Sequence, residues 1–258
     1  MGGPQAFASG VPHVARQRGP APRTAPPPRA GRQLPVWVVA LIVVCCLIEG
    51  GLFLAELAGF RVSIFMPGRT GFALPGAGGY RVGIPIRQFV YGLFGFWSPQ
   101  FHAGHGLYPG QPALMFLTYG LLHSGLTHLG MNMLSLAAVA RELNRLIGSR
   151  MMALVYLVSQ IAAALVFALM APEAGPMVGA SGAIFGLAGA LIGHAAVSGW
   201  RRQRPLGQLW RGVALMVVLN VALTVLMPSI AWQAHLGGAL AGLAMGGWTG
   251  MRASPRRA

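Results

Sequence analysis

The sequence predicts an all-α protein that crosses a membrane several times, and two observations predict it. Of its 258 residues, 55% are hydrophobic and only 9% are charged, with a mean hydropathy of +0.61; soluble domains carry about 25% charged residues. Six apolar runs also reach the roughly 20 residues that a helix needs to cross a bilayer. They lie near 36–59, 125–143, 151–171, 180–199, 211–227 and 233–251.

Ahead of the first run, residues 1–35 are rich in Pro, Gly, Ala and Arg and contain no acid. Such a segment reads as a disordered tail, because it has too little apolar surface to bury. An organellar transit peptide has a similar composition. A secretory signal does not fit, since the first apolar run starts too late and is too long. That run contains adjacent Cys45 and Cys46. Neighbours on a helix do not face each other, so these read as apolar residues rather than a disulfide. Glu49 and Glu56, about two turns apart, share a face of the same helix and read as bundle-facing structural residues.

About 65 residues separate the first and second runs. They carry Pro67, Pro75, Pro85 and Pro109, many glycines and the half-apolar stretch Phe89 to Trp97, which predicts a large loop in the membrane interface, where aromatics are at home.

Orientation follows from the arginines. All 19 basic residues are Arg, and the formal net charge is +15. Their clustering between apolar runs suits membrane orientation rather than nucleic-acid binding. Arg16, Arg18, Arg23, Arg29 and Arg32 precede the first run. Arg141, Arg145 and Arg150 follow the second; Arg201, Arg202, Arg204 and Arg211 follow the fourth; Arg252, Arg256 and Arg257 close the chain. Six alternating spans put all fifteen of these on one side, and the opposite short links, 172–179 and 228–232, contain no Arg. Only the long first loop breaks the pattern, with Arg61, Arg69, Arg81 and Arg87, and long loops weigh less. Both termini are therefore expected in the cytoplasm, with 36–251 as the membrane domain and 252–258 as a basic cytoplasmic tail. The second, fourth and sixth spans then run from outside to inside.

This topology puts four polar residues at one depth, just below the outer surface: His128 and Asn132 in the second span, Ser181 in the fourth and His235 in the sixth. A polar or ionisable side chain inside a span is a functional candidate by default. His128 and Asn132 are four apart and share a helix face. Behind Ser181 come Gly182, Gly186 and Ala190, with Gly189 and Gly193 alongside; the sixth span carries Gly238, Gly242, Gly246 and Gly250. Small residues every fourth position let helices approach closely, and packing these faces together would bring Ser181 to His235. A hydroxyl beside an imidazole is the minimal activated nucleophile. Gly179 would allow the sharp turn before Ser181. The Ser181 amide at a helix N-terminus, with His128 and Asn132, could hold an oxyanion.

Each feature alone has a structural explanation. Gly-x-Ser-Gly in an apolar helix is usually packing, and a single intramembrane His is usually hydrogen-bonded structure. Four such groups at one depth on three parallel helices are harder to attribute to packing. There is no Asp in the chain, which excludes a Ser-His-Asp triad, and His-Glu-x-x-His, the signature of a metalloprotease, is absent. A transporter would cluster its polar groups at the midplane and show similar halves; neither is present.

The elements "GASG" with Ser181, "AHLGG" with His235, and "HSGLTHLGMN" with His123, His128 and Asn132 resemble the rhomboid intramembrane serine proteases of the bacterial six-span type. The resemblance covers about residues 36–251, in the family's order. It implies a six-helix rhomboid-like bundle with a large interfacial first loop, Ser181 as nucleophile and His235 as general base. It also implies an oxyanion site of His128, Asn132 and the Ser181 amide. Supporting positions are Gly179, Gly182, Phe185, Gly238 and Gly242, with His123 structural. It implies no cofactor or metal, and single-span or polytopic membrane proteins as substrates, cleaved near the extracytoplasmic face. A non-catalytic rhomboid-like binder of membrane proteins is the alternative. A bacterial inner membrane fits the size; the Arg-rich start leaves an organelle open. Two features depart from the family pattern: the first loop has no Trp-Arg pair, and Phe185 stands where the family often has a Tyr that stacks on the base.

Overall fold

The computed structural model describes residues 33–66, 80–203 and 231–253, with a few isolated positions outside these ranges. The expected tails 1–35 and 252–258, and the expected fifth span 211–227, lie mostly outside the described residues.

Five long helices dominate the described residues: α1 (Val36–Leu57), α5 (Leu126–Ile147), α6 (Ser149–Met170), α7 (Ser181–Arg201) and α8 (Trp232–Arg252). At 1.5 Å per residue each is about 32 Å long, enough for the hydrocarbon core of a bilayer. Three of them, α1, α6 and α7, are also apolar enough to cross a membrane. The other two match them in length but not in apolarity. α5 carries His128, Asn132, Arg141, Glu142 and Arg145, and α8 is largely glycine and alanine along one face. α1 starts directly after Pro35, a residue tolerated at a helix start but not inside one. α5 and α6 are separated by the single residue Gly148 at φ 79°. That backbone conformation is cheap only for glycine, so two helices can be joined by almost no link.

Among the described residues, the segment expected to be irregular contains six short elements. β1 (Arg61–Met66) pairs antiparallel with β2 (Tyr80–Pro85), Arg61 opposite Pro85. Then follow α2 (Ile86–Phe94), α3 (Ser98–Ala103), α4 (Gln111–Thr118) and a 3₁₀ turn over Tyr119–Leu121. Of the prolines expected to keep this segment irregular, Pro85 directly precedes α2; two others, Pro99 and Pro112, occupy the first turns of α3 and α4. The missing N–H costs nothing there.

Two apolar clusters hold these parts together. One joins α1, α5, α6 and α7 through Val38, Leu136, Leu143, Met152 and Leu187. The other packs the first-loop residues Phe96, Met115 and Tyr119 on Phe167 of α6 and on Met177. Tyr119 Oη donates to the Gln160 carbonyl at 2.8 Å, and Gln160 Nε2 returns a bond to Leu117 O at 2.9 Å. The buried Tyr119 hydroxyl and Gln160 amide are thus paired rather than stranded.

The most extensive helix contact among the described residues is between α7 and α8. A Cβ on Gly238, Gly242 or Gly246 would overlap the carbonyl of Gly182, Gly186 or Ala190 respectively. Both helices repeat every four residues, so one backbone lies directly against the other along the whole seam.

Candidate active site

The approach to Ser181 is an extended segment that the first loop pins in place. Phe96 and Met177 exchange backbone bonds at 2.9 and 2.8 Å, Ser98 N–H donates to Ala174 O at 3.1 Å, and Gly179 N–H donates to Tyr119 O at 2.9 Å. Gly179 has φ +124°, and a Cβ there would lie 2.9 Å from His128 Cε1. Both its backbone conformation and its surroundings therefore require glycine. The chain then turns into α7, whose first residue is Ser181. The Ser181 N–H is one of the amides that the start of a helix leaves without an intrahelical partner.

His235 lies in the first turn of α8 and is buried. Its Nε2 is 2.8 Å from Ser181 Oγ, a normal hydrogen-bond distance. One face of its ring is covered by Phe185, with centroids 4.3 Å apart and planes within 7° of parallel. The seam below sets this approach. Gly182 sits against Ala163, where a Cβ would come within 2.6 Å, and Gly238 sits against the Gly182 carbonyl.

From α5, the Nε2 edge of His128 faces Gly179, beside Ser181 Oγ. Asn132, buried, uses Nδ2 to donate to the His128 carbonyl at 3.0 Å; its amide has a second N–H. His123 is fully buried, its ring centroid 5.3 Å from that of His128. A cavity of about 1130 Å³ is lined by Ser181, His235, His128, Asn132 and Phe185. Of the expected site residues, Ser181 touches His235, Phe185 stacks on His235, His128 and Asn132 line the same cavity, His123 packs beside His128, and Gly179, Gly182, Gly238 and Gly242 make the close backbone contacts around them.

Sequence reasoning did not find Tyr119, Phe96 or Arg87. Tyr119 holds Gly179, Phe96 bridges Met177, and Arg87 of α2 pairs with both Glu49 at 2.9 Å and Glu56 at 2.8 Å. The Glu49–Glu56 spacing was the only signal of this cluster in the sequence, and it does not name the partner. The Glu56 carboxylate, more than Glu49, holds the Arg87 pKa above its already high value, so the guanidinium is charged at any working pH.

Residues 111–252 match the family model of the Rhomboid domain. The chain is 32% identical over 126 residues to Rhomboid protease GluP of Bacillus subtilis (strain 168), covering 49% of this chain and 24% of that protein. It is 33% identical over 126 residues to RHOMBOID-like protein 5 of Arabidopsis thaliana, covering 48% and 40%. It is 34% identical over 135 residues to Rhomboid-type serine protease 2 of Emericella nidulans, covering 51% and 26%. The chain therefore spans less than half the length of these relatives.

Proposed function

This chain belongs to the rhomboid family and is an integral membrane protein, and on that premise we propose that it is an intramembrane serine endopeptidase with a Ser181–His235 dyad. The observation that carries the reading is the 2.8 Å contact between Ser181 Oγ and His235 Nε2. In the proposed reaction Ser181 Oγ–H donates to His235 Nε2 while Oγ attacks a substrate carbonyl. His235 then returns the proton to the leaving amine, and water hydrolyses the acyl-enzyme by the same steps in reverse roles. No Asp exists in the chain to orient the imidazole; stacking on Phe185 supports its orientation instead. The Ser181 N–H, His128 Nε2 and the second N–H of Asn132 are the proposed oxyanion donors. The first gains from the partial positive charge of the α7 N-terminus. The cavity around Ser181 supports access for water and for an unwound stretch of substrate.

The proposed topology has six spans over 36–251, the fifth within 211–227, with tails 1–35 and 252–258 in the cytoplasm. The arginine distribution supports it. Ser181, at the start of α7, then lies near the extracytoplasmic face, and membrane proteins with one or more spans are the proposed substrates. A bacterial inner membrane fits this plan. The test is incubation of the purified full chain, in liposomes, with a panel of labelled single-span substrates and with a fluorophosphonate probe. We expect cleavage and labelling by the wild type and neither by Ser181→Ala. Equal cleavage by Ser181→Ala would refute the nucleophile assignment. Absence of both activities in the wild type would point to a non-catalytic binder.

A further inference from the structure

One peptide unit connects the α1–α2 ion-pair cluster to His128. The His123 carbonyl accepts two hydrogen bonds from α2, from Arg87 Nη1 at 2.8 Å and from Tyr91 Oη at 2.6 Å. The other end of that peptide, the Ser124 N–H, donates to His128 Nδ1 at 3.2 Å, and Ser124 Oγ lies 2.9 Å from the same nitrogen. A backbone N–H can only donate, so His128 Nδ1 is an acceptor and carries no proton. The neutral ring must then hold its proton on Nε2, the edge that faces Gly179 beside Ser181. Arg87 is itself held by α1, through Glu49 at 2.9 Å and a two-pronged contact with Glu56 at 2.8 Å on each prong.

We propose that Arg87 and Tyr91 are positioning residues that hold the His123–Ser124 peptide so that its N–H keeps His128 in the Nε2–H form, a donor aimed at the oxyanion. The proposal deepens the protease reading and rests on it for the oxyanion. Two donors on the carbonyl polarise the peptide and strengthen the N–H on its far side. They also fix the peptide plane, and with it the direction of the bond to Nδ1. The electrophilic end of the site is thereby tied to α1 and α2, and Tyr91 of α2 also lines the cavity around Ser181.

The experiment measures phosphonylation of Ser181 by a fluorophosphonate probe on the full chain in liposomes, separating the inactivation rate kinact from the binding constant KI. Tyr91→Phe removes one neutral hydrogen bond and is expected to lower kinact about three- to tenfold, with KI unchanged. The double variant Glu49→Gln/Arg87→Gln, which avoids stranding a buried carboxylate, is expected to lower it at least as much. In a His128→Ala background neither change should lower kinact further, because the group they position is gone. A merely structural defect would lower it in both backgrounds, and that additive result would overturn the proposal. ¹⁵N NMR of histidine-labelled protein, with His128 assigned by its loss in His128→Gln, should show a non-protonated Nδ1. A protonated Nδ1 in the wild type would overturn the relay. Failure of the wild type to label would instead sink the protease reading, and the NMR result would still decide whether the peptide sets the tautomer.

Discussion

Gly242→Ala tests the idea that the α7–α8 seam sets the Ser181–His235 distance. A methyl at Gly242 would overlap the Gly186 carbonyl oxygen, and would lie 2.5 Å from its carbonyl carbon and 2.8 Å from the Gly186 Cα, where ordinary contact begins at 3.4 Å. All three are backbone atoms, which no rotamer change can move. The helices must therefore part by roughly 1 Å at this level, the overpacking response that typically costs about 1–3 kcal/mol. His235 sits seven residues up the same helix, about 10 Å along its axis. A comparable displacement there stretches the 2.8 Å Ser181–His235 contact past the roughly 3.5 Å at which a hydrogen bond ceases to exist. A 1 Å misplacement of reacting groups can cost about 100-fold in rate, so we predict that loss in kinact for the fluorophosphonate probe with little change in KI. Two controls accompany it. Gly247→Ala meets only Val197 Cγ2 at 3.6 Å, and Gly130→Ala meets nothing within 4 Å. Both should label at the wild-type rate, with Gly130→Ala melting slightly higher, since a glycine inside a helix costs about 0.5–1 kcal/mol relative to alanine. Labelling of Gly242→Ala at the wild-type rate would refute the seam as the source of the geometry.

Asn132→Ala removes one proposed oxyanion donor and should lower substrate turnover by about 10²–10³ without abolishing it; complete loss in a folded variant would assign Asn132 a larger role. Phe185→Ala uncovers the face of His235 and should lower kinact about tenfold, taking the stacking as worth about 0.5–1.5 kcal/mol; an unchanged rate would show that stacking does not orient the imidazole. Arg87→Met leaves the fully buried Glu49 without its cation and should cost about 3–5 kcal/mol in a thermal melt. Glu56→Gln, at a side chain 36% exposed, should cost about 1 kcal/mol or less. Equal losses for the two would contradict the assignment of Glu49 as the buried member.

How much of this was legible in the sequence depends on distance along the chain. The helices α1, α6 and α7 are readable because apolar length is a local property, and the residues 36–57, 149–170 and 181–201 carry it in one stretch. The close α7–α8 contact was readable because both partners repeat small residues every four positions. The β1–β2 hairpin and helices α2 to α4 were not, because their segments are short and their prolines serve equally as breakers and as helix starts. Nor was the identity of the partner of Glu49 and Glu56 readable. Arg87 is one of four arginines in the first loop, and only the fold says that it, rather than Arg61, Arg69 or Arg81, reaches both carboxylates. Tyr119 left no trace at all: it acts through its backbone carbonyl on Gly179, sixty residues away, and no side-chain pattern encodes that.

The seam also explains why a serine and a histidine fifty-four positions apart can meet with no third polar residue contributed by an Asp. Ser181 directly precedes the first rung on α7, Gly182, and His235 stands three residues before the facing rung, Gly238. Each is thus within about 5 Å, along its helix axis, of the point where the two backbones touch. Errors in helix angle are multiplied by distance from that contact, so a short lever keeps the pair in register even if the far end of the seam, near Gly250, breathes. The same lever predicts a gradient. An alanine at Gly250, some 22 Å below His235 along α8 by the same rise per residue, would meet its nearest atoms at 3.0 Å. That is a smaller overlap acting further away, so Gly250→Ala should retain most of the labelling rate that Gly242→Ala loses. If the two variants lost activity equally, the seam would be acting as a rigid whole, and the rungs next to Ser181 and His235 would have no special part in holding them together.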